Sequence, residues 1–300
     1  MTFRERLAGP GTLLLDGGLG SALIARGLRL GTPPELWNLE RGDAVTDVHR
    51  GYVNAGSDAV HTNTFGASPA RLAAFGLADR CEEINRAAVA LARAAGPRFV
   101  VGDVGPTGEY LPPVGRGDVG AWRASFERQA RALLEAGVDA LHVETMSDLR
   151  EARVALEAIR GLAPEVPVMV SMTFERKKRG FFTVMGDPLV ATLAALAAEG
   201  ESAVGANCSV TSADMAALLG EALAGLAGLA APLVGQPNAG RPEQASDGSF
   251  HYAQAPEEFA ADMAAPARGG VRVLGGCCGT DDRFIAALRR ELARGELARA

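Results

Sequence analysis

Two adjacent cysteines, Cys277 and Cys278, lie in the segment LGGCCGTDDRF of this 300-residue chain. The chain has only four cysteines, so a side-by-side pair among glycines is a specific feature. A third cysteine, Cys208, follows a short apolar run in GANCS. The fourth, Cys81, is interpreted as a buried residue at a helix start. Three thiolates brought to one place suit a borderline metal, above all Zn²⁺.

The spacing of these cysteines also indicates what a metal would do there. No C-x2-C or H-x3-H pair offers a fourth fixed ligand, and three protein ligands with one open position are typical of catalytic zinc. Three thiolates leave the ion with a net negative charge, which makes it a poor activator of water. It can still bind a substrate thiol and lower its pKa from about 8.5. The pattern therefore predicts alkyl transfer onto sulfur rather than hydrolysis.

The elements that must position the cysteines follow a repeated phrase, seen at 54–68, 135–148 and 198–212. In each case a helix-like stretch ends at glycine, a polar residue opens a short apolar strand, and a polar residue follows it. The strands predicted in this way lie near 12–16, 58–62, 98–103, 139–143, 167–172, 203–206, 232–236 and 271–274. The helices predicted between them lie near 80–95, 120–136, 148–160, 188–199, 212–221, 256–265 and 281–293.

Eight apolar strands that alternate with helices predict a (β/α)8 barrel, built as one domain over residues 1–300. The alternative is a doubly wound open sheet with a dinucleotide site. DGGLGSALIARG is glycine-rich at the first turn, but Leu23 replaces the third glycine of the G-x-G-x-x-G pattern. We therefore favour the barrel, with the active site at the carboxyl ends of the strands.

Local signals refine this expectation. Asp187 is predicted as the N-cap of one helix, with Pro188 in its first turn and Gly200 at its end. The basic run at 175–180 and the segment 237–249 are predicted as loops. His61 and His142 lie within strands, and we interpret them as hydrogen-bonded interior residues rather than metal ligands.

Composition excludes other classes of protein. The net charge of -6 argues against nucleic-acid binding, which needs a basic face. No apolar run reaches the roughly 18 residues of a membrane span, and the start MTFRERLAGP lacks the apolar core of a signal peptide. Four irregularly spaced cysteines do not make a disulfide framework. We expect a soluble cytoplasmic protein.

Short stretches that match a known protein family occur along almost the whole chain, including those that contain the three cysteines. The sequence resembles the zinc-dependent homocysteine S-methyltransferases, which include betaine–homocysteine methyltransferase and the homocysteine-binding domain of cobalamin-dependent methionine synthase. The resemblance implies a methyltransferase that moves a methyl group onto homocysteine to give methionine. The matching stretches are LLLDGGLGS, ELWN, AGSDAVHTNTF, GPTG, VETMSD, GANCS, PNAG and GGCCGT.

The resemblance also implies roles for individual residues. Cys208, Cys277 and Cys278 would be the zinc ligands, and the homocysteine thiol would take the open position. Two carboxylates would hold the substrate's amino group, main-chain groups at two glycines would bind its carboxylate, and three polar residues would line the same mouth. In that order, these residues are Asp16 and Glu144; Gly17 and Gly18; and Asn63, Thr64 and Asn238.

The methyl donor follows less directly from the resemblance. Betaine enzymes hold their donor in an aromatic cage; Trp37 is a candidate wall, but Gly66 and Thr145 stand where the family's tyrosines are expected. GGCCGT resembles the methionine synthase form, so we expect a detached domain that receives its methyl group from a separate methyl-corrinoid protein or a methyltetrahydrofolate-linked system. The alternatives are S-methylmethionine, S-adenosylmethionine or betaine as donor, and another small thiol as acceptor.

Two hypotheses from other classes remain. A zinc hydrolase on a barrel would need histidine or carboxylate ligands and a general base, which the thiolate-rich site disfavours. A non-catalytic zinc-binding or thiol-carrying module would not need Asp16 and Glu144 beside three cysteines. The variant Cys277→Ala separates these hypotheses from the methyltransferase, because it should abolish both zinc binding and methyl transfer if the chain is a zinc-dependent methyltransferase.

Overall fold

A parallel eight-stranded sheet forms the centre of the protein, in a computed structural model that describes residues 1–228, 231–244 and 250–297. From the second strand onward each strand pairs with the next one in the chain, and the last pairs with the first, so the sheet curls into a barrel that stays open only between the first two strands. The predicted (β/α)8 architecture is confirmed. In chain order the barrel strands are β1 (Leu13–Leu14), β2 (Ala59–His61), β3 (Phe99–Val104), β4 (Ala140–Met146), β5 (Val168–Met172), β6 (Ala203–Asn207), β7 (Leu233–Gln236) and β8 (Val273–Leu274).

Helices surround the barrel, and the predicted ones are all present with ends within a few residues. Helix α4 lies between β1 and β2 and was missed by the sequence pattern, because glycine, threonine and valine weaken its helical signal. The helices are α1 (Phe3–Ala8), α2 (Leu19–Ile24), α3 (Trp37–Glu40), α4 (Gly42–Asn54), α5 (Pro69–Ala73), α6 (Cys81–Ala94), α7 (Val119–Ala136), α8 (Leu149–Leu162), α9 (Leu189–Ala198), α10 (Ser212–Gly225), α11 (Pro256–Gly269) and α12 (Asp282–Leu297). Within the described ranges, no helix is both long enough and apolar enough to cross a membrane.

The repeated sequence phrase has a physical basis in the barrel. Its three glycines adopt left-handed backbone with φ of +100°, +88° and +85°, which ends the preceding helix. A polar residue stands just before each of the strands that follow these glycines. Its side chain accepts a hydrogen bond from a backbone N–H of the neighbouring strand. These bonds run from Leu14 to Asp58 Oδ2 (2.9 Å), from Val100 to Asp139 Oδ2 (2.7 Å) and from Val168 to Ser202 Oγ (3.3 Å).

Three local predictions need correction. The basic run predicted as a loop forms an antiparallel hairpin, in which 175–177 pairs with 180–182 and buries Phe181. In the segment 237–249, residues 242–244 pair with 250–252, and 245–249 lie outside the described residues. Helix α9 begins one residue later than predicted. Pro188 is its N-cap with extended backbone, while Asp187 bonds to Thr183.

The barrel interior changes character along the strands. Near the amino ends the inward positions are apolar, and Phe3 of α1 closes this end by packing edge-on against Phe99 at 5.5 Å. Two residues further along β2 to β5, the inward positions become polar and stay buried. This buried polar layer lies directly beneath the strand ends and consists of His61, Asp103, His142 and Ser171.

Candidate metal and substrate site

The three predicted cysteines meet at the carboxyl ends of β6 and β8. Cys208 directly follows β6, and Cys277 and Cys278 follow β8 after two glycines. The Sγ atom of Cys278 lies 3.9 Å from that of Cys208 and 4.0 Å from that of Cys277. All three sulfurs lie within 4.8 Å of one another, and no other group of this kind occurs among the described residues.

These separations fit a metal site rather than a disulfide. A disulfide requires sulfurs about 2.05 Å apart. Zinc–sulfur bonds of about 2.3 Å in a tetrahedron place neighbouring sulfurs about 3.8 Å apart. The two measured separations are close to this value, so the cysteine cluster could hold a metal ion, and a cavity lies beside it.

Hydrogen bonds within the cluster favour one thiolate. Contacts from the thiols of Cys277 and Cys278 lower the pKa of Cys208, against the effect of burial. The same contacts with Cys208 are the main cause that raises the pKa of Cys277 and of Cys278. The cluster therefore stabilises a negative charge on its sulfurs, which makes it a suitable donor set for a cation.

The backbone at Cys208 is strained. Cys208 and Ser209 both have φ of +58°, a left-handed conformation that disfavours side chains. Strand pairing maintains it, because the Cys208 N–H donates to the Gln236 carbonyl at 2.9 Å. Val210 N–H donates back to the Cys208 carbonyl at 2.6 Å, which closes a tight turn. Such strain, of about 1–3 kcal/mol per residue, is common where a functional side chain must point in one direction.

Glycines around the paired cysteines allow close backbone contact. A side chain at Gly18 would come within 2.4 Å of the Cys277 carbonyl oxygen. Gly279 has φ of +80°, and the ring of Tyr252 lies against it. Burial, followed by the nearby thiol of Cys278, raises the pKa of the Tyr252 hydroxyl above its ordinary value. The sequence reasoning missed Tyr252, which reaches the site from the hairpin after β7.

A cavity of about 330 Å³ opens beside the cysteines. Five predicted substrate residues line it, whereas Asp16 and Asn238 do not. Asn238 instead supports the cysteine cluster, since its Oδ1 accepts the Cys278 N–H at 3.1 Å and its side chain helps to lower the pKa of Cys208. The predicted residues in the lining are Gly17, Gly18, Asn63, Thr64 and Glu144. Sequence reasoning missed four further charged or aromatic lining residues, which are Glu35, Arg71, Phe75 and Asp103.

Trp37 does not form a cage wall. Its side chain is buried in the core, outside the cavity lining, with the Arg41 guanidinium 5.0 Å from its ring centre. The aromatic residues that line the cavity in the described ranges are Phe65 and Phe75. Helix α3 turns the tryptophan inward, so its ring is not available to a cation in the cavity.

Asn63 and Thr64 shape the cavity wall mainly through their backbone. The Asn63 amide donates to the Pro34 carbonyl at 2.8 Å and to Asn38 Oδ1 at 2.9 Å. The Thr64 hydroxyl donates to the Asp103 carbonyl at 2.7 Å. Their side chains thus fix the loop after β2, so their contribution to the site is to hold its wall in place.

Glu144 is tied to the cysteine cluster through one residue. Asn207 precedes Cys208 and donates to Glu144 Oε2 at 2.6 Å. Asn207 also binds Thr145 in both directions, at 2.7 and 2.8 Å, and this holds Thr145 at φ of +60°. Burial raises the pKa of the Glu144 carboxyl above its ordinary value. The carboxyl group is therefore held rigidly at the cavity wall beside the cysteines.

A buried hydrogen-bonded chain runs across the barrel behind the cavity. Asp16 uses both oxygens on His61: Oδ2 accepts the backbone N–H at 2.9 Å, and Oδ1 lies 2.6 Å from Nδ1. His61 Nε2 lies 2.9 Å from His142 Nδ1, and His142 Nε2 lies 2.8 Å from Ser171 Oγ. The prediction of hydrogen-bonded interior histidines is confirmed, and His61 separates Asp16 from the cavity.

Charge distinguishes the two histidines. Burial opposes protonation of His61, but the charge and hydrogen bond of Asp16, with Glu144, raise its pKa above 6.5. Burial and then the neighbouring His61 lower the pKa of His142 well below its ordinary value. The chain is therefore asymmetric, with positive charge favoured at the Asp16 end.

Asp103 was the main residue missed. It occupies an inward position of β3, and burial, followed by the charge of Glu144, raises the pKa of its carboxyl well above the ordinary value. The carboxyls of Asp103 and Glu144 lie close enough to influence each other's pKa. A charged residue inside the apolar run FVVGDV was the available signal.

Comparison with known proteins places this geometry in a family. The homocysteine S-methyltransferase family model matches residues 13–292. The chain belongs to the homocysteine S-methyltransferase family, a family of methyltransferases. The predicted resemblance is thereby confirmed.

Similar proteins differ in length. A homocysteine S-methyltransferase from Escherichia coli is 33% identical over 92% of this chain and 94% of its own length. A methionine synthase from Mycobacterium tuberculosis is 32% identical over 90% of this chain, which spans about a quarter (24%) of that enzyme. The metallated form of the E. coli homocysteine methyltransferase MmuM superposes with a TM-score of 0.75, at 31% identity, over 95% of this chain and 97% of that one.

Proposed function

We propose that the chain transfers a methyl group to the sulfur of homocysteine, with Zn²⁺ held by Cys208, Cys277 and Cys278. The observation that carries this proposal is the convergence of three thiols on a cavity with carboxyl groups in its wall. A zinc ion there would bind the substrate thiol and keep it as a thiolate at neutral pH. The family match supports a methyl group as the transferred unit.

The chain's own residues have separate tasks in this proposal. The acidic wall attracts the amino group of an amino-acid thiol, and the glycines after β1 leave room for the substrate backbone beside Cys277. Asn207 keeps Glu144 and the cysteine cluster in a fixed relation. Binding the amino-acid end in this way places sulfur at the cysteines and leaves its outer side towards the donor.

The donor we propose is a methyl group presented at the cavity mouth by a methyl-corrinoid protein or a methyltetrahydrofolate-linked system. A cavity of about 330 Å³ suits homocysteine but cannot enclose a corrin ring as well. Large exposed apolar side chains stand in connections that follow strands, which all lie on the same face of a parallel barrel. They are Leu30, Phe75, Val114, Val184 and Phe250, and they support docking of a donor protein over the mouth.

Replacement of one cysteine tests the reaction. Cys277→Ala should abolish both stoichiometric zinc, measured by elemental analysis, and methionine formation. Cys81→Ala is the matched control, because Cys81 is buried away from the cluster and bonds only within its own region. Methyl transfer that survives in Cys277→Ala without zinc would show the proposal to be wrong.

A donor panel tests the finer proposal. Zinc-loaded protein with homocysteine is given methylcobalamin, methyltetrahydrofolate, S-methylmethionine, S-adenosylmethionine or betaine in separate reactions, and methionine is quantified. Methionine from methylcobalamin supports the corrinoid donor. Methionine from a sulfonium compound or betaine alone contradicts it and supports a small donor that enters the cavity.

A further inference from the structure

Asn207 connects the cysteine cluster with Glu144 inside the protein. It is the last residue of β6, directly before Cys208, and its side chain is buried. Its Nδ2 atom donates to Glu144 Oε2 at 2.6 Å and lies 4.0 Å from the Sγ atom of Cys277. One amide group therefore contacts both the proposed metal site and a carboxyl group in the cavity wall.

The orientation of this amide is fixed by its partners. Asn207 Oδ1 accepts the N–H of Thr145 at 2.8 Å, and Nδ2 also donates to Thr145 Oγ1 at 2.7 Å. If the amide turned over, its nitrogen would face the Thr145 N–H and its oxygen would face the Glu144 carboxyl group. Because Thr145 directly follows Glu144 in the chain, these bonds hold the backbone and the carboxyl group of the same segment.

Backbone strain is concentrated around this amide. Among the described residues, the non-glycine residues with left-handed backbone are Thr145, Cys208 and Ser209, with φ of +60°, +58° and +58°. Thr145 binds the Asn207 side chain, and Cys208 follows Asn207 in the chain. Such strain persists only where the surrounding structure holds it, and it is common at functional sites. Both ends of the connection are therefore held in costly conformations, which points to a requirement on their relative position.

A fixed position of Glu144 relative to the cysteines constrains the length of a substrate. In the proposed function, sulfur binds at the cysteines and the amino group binds at the acidic wall, so the carbon chain must span the distance between them. Homocysteine has two methylene groups between its sulfur and the carbon that bears the amino group, and cysteine has one. A cavity that only encloses the chain distinguishes one methylene group weakly, whereas two fixed attachment points admit one length.

We propose that Asn207 is a positioning residue that determines which length of amino-acid thiol the chain accepts. It does so by fixing Glu144 relative to the cysteine cluster. This inference rests on the proposed function, which supplies the two attachment points. It predicts a preference for homocysteine over cysteine, which is one methylene shorter, and over 2-amino-5-mercaptopentanoate, which is one methylene longer. It also predicts that this preference depends on the Asn207 amide.

The test compares the binding of these three thiols to zinc-loaded protein by calorimetry, without a methyl donor, and quantifies zinc after each titration. Asn207→Leu keeps a branched side chain of similar shape without hydrogen-bonding groups, and Asn207→Ala removes the amide altogether. Asn85→Leu and Asn85→Ala are the matched controls. Asn85 is equally buried, and its Nδ2 donates to the carbonyls of Ala67 and Cys81, outside the cavity lining.

Both Asn207 variants should bind homocysteine about tenfold more weakly, as expected when a charge-assisted hydrogen bond is no longer well placed. Their binding of the shorter and longer thiols should change little, because these thiols cannot use both attachment points at once. The preference for homocysteine should therefore fall about tenfold as well. Zinc should stay at one per chain, since all three cysteines remain. The Asn85 variants should keep the preference of the unsubstituted protein.

The outcomes separate this inference from the proposed function. An unchanged preference in both Asn207 variants, or no preference in the unsubstituted protein, would overturn the role of Asn207 alone. Loss of zinc in both variants would make Asn207 a support of the metal site and would overturn that role too, as would an equal fall in preference in the Asn85 variants. Failure of the unsubstituted protein to bind any of the three thiols would contradict the proposed function, and this inference with it.

Discussion

The gap between β1 and β2 is closed by a carboxylate at each end of the barrel, and the two ends differ in what balances the charge. At the amino end, Asp58 accepts the Leu14 N–H at 2.9 Å and pairs with Arg6 and Arg289 at 3.2 and 3.0 Å. At the carboxyl end, Asp16 accepts the His61 N–H at 2.9 Å and pairs with the His61 ring. The carboxylate at the amino end is thus paired with permanently charged arginines, and the one at the carboxyl end with a titratable histidine.

This difference separates stability from function. Arginine stays protonated at any physiological pH, so the charges at the amino end of the junction between β1 and β2 do not change with pH. An imidazole changes charge near neutral pH, and its further partners are another histidine and a serine. The titratable end is the one beside the cavity, where charge must match that of a substrate.

The largest effect on stability is expected at the amino end. Asp58→Ala leaves two half-buried guanidinium groups and the Leu14 N–H without their acceptor, which should lower the free energy of unfolding by about 3 kcal/mol. Urea unfolding measures this. Asp47→Ala, which removes an exposed ion pair with Arg50, should change it by less than about 0.5 kcal/mol. A loss in Asp58→Ala as small as in the control would show that Asp58 does not stabilise the junction between β1 and β2.

A smaller loss is expected at the carboxyl end. In Asp16→Asn the amide oxygen can still accept the His61 N–H, but the charged contact with the ring is lost. Urea unfolding at pH 6 should show a decrease of about 2 kcal/mol. Zinc content should stay unchanged, because Asp16 does not contact the cysteines through its side chain. Simultaneous loss of zinc would mean that the two sites are coupled more closely than the structure indicates.

The pH dependence should distinguish the two carboxylates. Asp16 raises the pKa of His61 above its ordinary value of 6.5, so the stabilisation is complete below that pH and is lost as pH rises through the folded-state pKa. Each unit of increase in pKa corresponds to about 1.4 kcal/mol. The penalty of Asp16→Asn should therefore shrink between pH 6 and pH 9, whereas that of Asp58→Ala should stay constant. Parallel curves for the two variants would contradict the comparison.

The end of the histidine chain should contribute least. Ser171→Ala removes the partner of His142 Nε2 and should cost about 1 kcal/mol of unfolding free energy. Homocysteine binding, measured by calorimetry, should be unaffected because Ser171 does not line the cavity. A tenfold or larger loss of homocysteine binding would instead extend the substrate site deeper into the barrel.

Much of the barrel could be predicted because its punctuation is local. Glycines such as Gly137 end helices, and the residues after them begin strands, with no need for distant contacts. The hairpin at 175–182 was missed because charged residues hide its alternation and because Phe181 becomes buried only through tertiary packing. The inward turn of Trp37 depends in the same way on packing of α3, not on its neighbours in sequence.

The site shows the same limit. The cysteines could be predicted to meet because strand ends of a parallel barrel share one face. Asp103 could not be assigned to the barrel interior from sequence. Successive side chains of β3 point to opposite faces, so an error of one residue in the register reverses the assignment. The pairing of Asp16 with His61 depends on barrel closure between two strands that are 45 residues apart in sequence.

The left-handed backbone of Cys208 sets selection for folding against selection for activity. Glycine fits φ of +58° better than cysteine does. Cys208→Gly should therefore raise the free energy of unfolding by about 1 kcal/mol. A library of variants sorted only for resistance to unfolding should therefore enrich glycine at this position. The same library sorted for methionine formation should retain cysteine. At this position, a redesign guided only by stability would stabilise the protein and remove the thiol on which the proposed activity depends.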